Sequence, residues 1–107
     1  MISRLDDARN AYDQGDIDRA MEITRTHLRR NKEDGRGWEL IGLIQYSRGR
    51  FAVSVSALER ASLLVPLRPA AKVCLAHGYA RIGRVELSRD LLVELISDES
   101  LSIALLL

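Results

Sequence analysis

Cys74 and His77 stand three residues apart, a spacing that puts both side chains on one face of a helix. A thiolate and an imidazole so placed could ligate zinc, or pair as nucleophile and base. Neither chemistry is complete. Zinc wants four ligands, and the chain holds no other cysteine and only one other histidine, His27, far off in sequence. A nucleophilic pair needs an orienting third group, and none adjoins. A glycine-rich phosphate loop, a serine elbow and a His-Glu helical pair are all missing from the sequence. Asp16 and Asp18 suit a helix cap and a first turn rather than acid–base work. The expectation is a chain that is not an enzyme, with no catalytic residue, no metal and no cofactor.

Basic residues could do a second kind of chemistry, phosphate binding. Of the 16 basic residues all but Lys32 and Lys72 are arginine. Arg48, Arg50, Arg81 and Arg84 fall where turns are expected, along one edge. RNA or another phosphate-bearing partner could use that edge. The net charge of only +1 argues for the simpler reading, that these arginines solvate turns.

The elements that must carry these residues follow from a constant stride. Gly15, Gly49 and Gly83 are spaced 34 apart, and each precedes by two residues a bulky apolar side chain, Ile17, Phe51 or Val85. Seven before each glycine stands a small residue (Ala8, Gly42, Ala76), and five after it another (Ala20, Ser54, Ser88). Small residues let two helices approach, and glycine past a helix end takes the left-handed conformation without a Cβ penalty. Apolar residues recur at helical spacing: Leu5, Ala8, Ala11 and Tyr12, then Leu40, Ile41, Leu43 and Ile44 around Trp38, then Leu58, Ala61 and Val65. The pattern predicts helices over 3–14, 17–30, 36–48, 51–64, 70–82 and 85–97. Asp16 would cap the second helix and Pro69 would open the fifth. A short seventh helix is expected after Asp98 or Ser100.

At 107 residues, with 47% apolar and 29% charged, the composition is that of one globular domain. One cysteine makes no internal disulfide and suits the reducing cytoplasm, the expected location. No apolar run approaches the ~20 residues of a membrane helix, and the first residues do not read as a secretory signal.

A 34-residue helix–turn–helix period with these residues resembles the tetratricopeptide repeat. The middle repeat, 35–68, matches best: Trp38 at its fourth position, Ile41 and Gly42 at the seventh and eighth, then Leu58, Ala61 and Pro66. The third, 69–102, keeps Leu75, Ala76, Tyr79, Gly83 and Leu92, but has Leu95 and Ser100 where the family has Ala and Pro. The first, 1–34, keeps Ala8, Gly15, Asp16 and Ala20, and departs at Asp7 and His27. The resemblance implies one domain over 1–107, an all-α, right-handed α-solenoid of three repeats with a short C-terminal helical segment. It implies a non-catalytic scaffold whose first helices line a concave groove for a peptide or a helix.

Mapped by repeat position, that groove would hold Leu5, Arg9 and Tyr12 from the first repeat. Glu39, Leu43 and Tyr46 would come from the second, and Val73, His77 and Arg81 from the third. The mixture of tyrosines and aliphatics implies a protein or peptide partner with apolar or aromatic anchors. The co-chaperone branch of the family clamps a C-terminal carboxylate with cationic and amide side chains. Here those positions are Leu5, Arg9, Leu40, Ala70 and Cys74, and only Arg9 is cationic, which argues against that ligand. The other readings are a regulatory or assembly segment of a larger protein or secretion machine, and an RNA-associated helical repeat. The tail 103–107 ends apolar, with Ile103, Leu105, Leu106 and Leu107. The tail could mark truncation from a longer array, pack across its own last repeat, or bury itself against a second copy, and truncation or self-association is expected ahead of a quiet monomer.

Overall fold

A computed structural model describes the backbone of residues 4–106 and the side chains of residues 4–98. Among the described residues the fold is all-α. The helices are α1 (Arg4–Asp13), α2 (Ile17–Arg30), α3 (Gly35–Ser47), α4 (Phe51–Leu64), α5 (Pro69–Arg81) and α6 (Val85–Leu106). The first five fall within a residue of the sequence-based bounds. The sixth does not: α6 continues through the expected break near residues 98–100, so no separate seventh helix forms. Nothing there stops it, since no glycine or proline follows Gly83, and serine and aspartate are tolerated inside a helix at small cost.

The tight turns within each helix pair share one device. Gly15, Gly49 and Gly83 have φ of 83°, 73° and 87°. In each case the residue after the glycine reaches back five residues: Asp16 N to Ala11 O at 2.8 Å, Arg50 N to Gln45 O at 2.9 Å, Arg84 N to Tyr79 O at 2.8 Å. The glycine amide bonds three residues back, to Tyr12, Tyr46 and Ala80 oxygens. This is a Schellman ending, which satisfies carbonyls that a helix end leaves open. A side chain at φ near +80° would be strained, which is why glycine recurs with the stride.

The longer connections differ. Asp34 caps α3, its Oδ1 accepting from Arg36 N at 3.1 Å. Its Oδ2 lies 2.6 Å from His27 Nε2, tying the cap to the end of α2. Before α5 the backbone is extended at Val65 and Arg68, and Pro69 occupies the first turn of the helix. Asp16 caps α2 as expected, through Arg19 N at 3.4 Å.

Each helix packs on the next, and α3 also touches both α1 and α5. One apolar cluster joins α1, α2 and α3 around Ala8, Met21, Leu40 and Ile44. A second joins α3, α4 and α5 around Leu43, Leu58, Ala61 and Leu75. Tyr12 and Trp38 lie against both. Burying a leucine such as Leu40 or Leu58 contributes about 1.5–3 kcal/mol. The small residues of the stride do the expected work. A Cβ on Gly42 would stand 2.4 Å from Leu58 Cγ, and Ser54 Oγ donates to Gly42 O at 2.8 Å. Ala8, Ala20 and Ala76 are fully buried. Asp7, one of the departures in the first repeat, points to solvent and leaves Ala8 and Ala11 to make the core.

Candidate functional site

The contacts of α3 with α1 and α5 bring some of the residues expected to line a groove near one another. Tyr12 of α1 shares a hydrogen bond with the Ser47 hydroxyl of α3 at 3.4 Å. The Tyr46 hydroxyl of α3 shares one with Nδ1 of His77 on α5 at 2.6 Å. Phe51 completes an edge-to-face trio with Tyr46 and His77, with ring centroids 5.5–5.7 Å apart. The Arg81 guanidinium lies 5.0 Å from the Phe51 centroid, within cation–π range. Val73 is half exposed on α5. Leu5 packs partly against the first core cluster.

Two of the nine residues lie deeper than the rest. Leu43 belongs to the second core cluster, at 9% exposure. Glu39 is fully enclosed, a carboxylate that must be paired to be buried. Arg36 Nη1 donates to both its oxygens, at 3.0 and 3.2 Å. The backbone N–H of Arg68, 29 residues on, donates to Oε2 at 2.9 Å. Arg68 Nε at 3.8 Å and Arg9 Nη2 at 4.0 Å add charge around Oε1. Arg9 Nη2 is itself buried without a hydrogen-bond partner. The carboxylate thus ties α3 to the start of α5, with α1 close by. Sequence shows Arg36 three residues before Glu39, but the contact from Arg68 depends on how the chain folds back.

Burial pushes the Cys74 thiol above its ordinary value, which disfavours the thiolate. His77 Nδ1 is already engaged by Tyr46. Among the described residues no group of three or more His, Cys, Asp or Glu side chains is placed to hold a metal ion. Arg48, an expected turn arginine, is ion-paired with Asp18 across the first two helix pairs. Tyr79 is nearly buried, and its phenol is pushed up to about 12 by burial, by donating to Glu59 Oε2 and by that carboxylate's charge, with Arg84 opposing. Among the described residues no helix is long and apolar enough to cross a membrane.

Sequence reasoning missed a second surface. A cleft of about 550 Å³ opens between α2, α3 and α4. Met21, Leu28, Trp38, Ile41 and Val53 give it an apolar lining, and Arg25, Arg29, Lys32 and Arg60 add four cations. Trp38 is held in place at both ends. Its Nε1 donates to Lys32 O at 2.7 Å, and the Arg60 guanidinium lies 4.3 Å from its ring. Gln45 also lines the cleft, 4% exposed, with its Oε1 lacking a hydrogen-bond partner. Arg25, Arg29 and Lys32 at successive turns were a sequence signal for it, read there only as part of the overall charge. Compared with known proteins, the chain matches no family model and no curated relative.

Proposed function

We propose that the chain is a non-catalytic protein-interaction module of the tetratricopeptide kind, a right-handed stack of three helical hairpins. Its ligand is a peptide or helix with apolar or aromatic anchors, laid across α1, α3 and α5. The observation that carries the reading is the direct packing of α3 against both α1 and α5. The bonds of Tyr12 to Ser47 and of Tyr46 to His77, and the exposure of Val73, support a ligand face shared by these helices. Tyrosine and histidine present large area with few rotors, and their bonds to neighbouring helices hold them ready, so little ordering entropy is lost on binding. The recurrence of the same Schellman ending at the 34-residue stride supports the repeat assignment. The single, reduced Cys74 suits a cytoplasmic setting. Self-association through Ile103, Leu105, Leu106 and Leu107 belongs to the same proposal, although those side chains lie outside the described residues.

Affinity capture with the intact chain, followed by mapping of the captured protein, tests it. Val73→Asp and Tyr46→Ala should each lose the partner while the helical circular-dichroism signal is kept. Leu43→Ala is a poor probe, since Leu43 is core. A partner retained by both variants refutes the assignment to this face.

A further inference from the structure

We propose that the α2–α3–α4 cleft is a second binding site, for an acidic peptide segment with one apolar anchor residue. It lies on a different side of α3 from the surface above: Trp38, Ile41 and Gln45 form one stripe of the helix, and Glu39, Leu43 and Tyr46 another. The site does not depend on the first proposal.

Charge identifies the occupant. Arg25, Arg29, Lys32 and Arg60 border the cleft, and no carboxylate lines it. Among the described residues none of the four forms an ion pair with a carboxylate, whereas Arg36, Arg48, Arg68 and Lys72 all do. Lys32 and Arg60 also border a neighbouring cleft that Glu33 and Glu59 line, without forming an ion pair with either, while Arg25 and Arg29 border the first cleft alone. Arg25 and Arg29 are one turn apart on α2, and Lys32 follows just past its end. Arg60 faces them from α4. Three cations strung along one wall with one facing them suit several carboxylates spaced along a chain better than one carboxylate on a small molecule. Carboxylates there would form charge-assisted bonds with the guanidinium forks.

The apolar lining sets the second requirement. Trp38 and the side chains around it offer room for one aliphatic residue of the ligand between the two rows of charge. Trp38 does not move to admit it, because its indole N–H and its ring face are both already engaged.

Trp38 is the chain's single tryptophan, so its emission reports on the site directly. The full chain is titrated with a short synthetic peptide in which one leucine is flanked on both sides by aspartate and glutamate, with no aromatic residue. Saturable change in Trp38 emission is expected, weakening as salt rises. Arg25→Gln with Arg29→Gln should lower the affinity roughly tenfold or more, the scale of losing two charge-assisted contacts. Val53→Asp, which puts a like charge beside the ligand, should abolish the response. Arg89→Gln removes the same charge from exposed α6 and should change nothing. A peptide with serine in place of the leucine should bind far more weakly. The proposal is overturned if Trp38 emission does not respond, or if the serine peptide binds as well as the leucine peptide. It is also overturned if an RNA oligonucleotide or an anionic phospholipid vesicle binds more tightly than the leucine peptide.

Discussion

On the side of α3 that carries Glu39 and Tyr46, both of these residues find partners inside the chain. Glu39 takes two bonds from Arg36 and one from the Arg68 amide, and Tyr46 meets His77. On the side that carries Trp38 and Gln45, the four cations form no ion pair with a carboxylate among the described residues, and Gln45 Oε1 is buried without a donor among them. The two surfaces belong to one helix and are built from similar residue types. They differ in that the first has a carboxylate enclosed by neighbouring helices, at Glu39, and the second is left open between α2 and α4. A buried carboxylate must be answered, and Glu39 is answered by Arg36 and the Arg68 amide. The open side can leave cations to solvent, and these become recognition groups once an anion displaces the water.

The comparison can be broken most forcefully at Glu39. Glu39→Gln removes the charge that holds Arg36 and Arg68, and should cost about 3 kcal/mol in chemical denaturation. A loss below ~1 kcal/mol would mean that the arginines are as well off in water, and the closed side would lose its distinction. Tyr79 and Glu59 supply a smaller test on the same principle, read by pH. The unfolded phenol ionises near the ordinary tyrosine value of 10.0, and the folded one only at about 12. Above pH 10 the unfolded state therefore binds fewer protons, and stability falls as pH rises through that window. Alkaline denaturation of Tyr79→Phe, compared with the unaltered chain, should show a shallower decline. Equal slopes would remove the phenol from the account. The smallest effect belongs to the open side. Gln45→Leu deletes an unsatisfied buried carbonyl and should be neutral or stabilising by up to ~1 kcal/mol, opposite in sign to Glu39→Gln. A clear destabilisation would show that the Gln45 amide makes a needed contact.

Much of the fold was legible because its punctuation is local. Glycine at φ near +80°, aspartate at a cap and proline in a first turn each act within a few residues, so the bounds of α1 to α5 could be read from spacing alone. The end of α6 was misjudged for the same reason: polar residues at 98–100 suggest a stop, yet none of them compels one. The candidate surfaces were less legible. Tyr46 and His77 were placed on one face by repeat position, and they do meet. Glu39 was read in the same set, and nothing within its own helix marks it as enclosed. The α2–α3–α4 cleft was not read at all, since its walls come from helices separate in sequence.

From the sequence by itself came the helical class, the 34-residue phase and the positions of the turns, all consequences of short-range sterics and capping. The tertiary structure alone decided which charged side chains are sealed and which stay open. That choice depends on burial, and burial of Glu39 requires Arg68 to arrive from 29 residues away. Desolvation is a property of everything that surrounds a group, so no local pattern could have specified it.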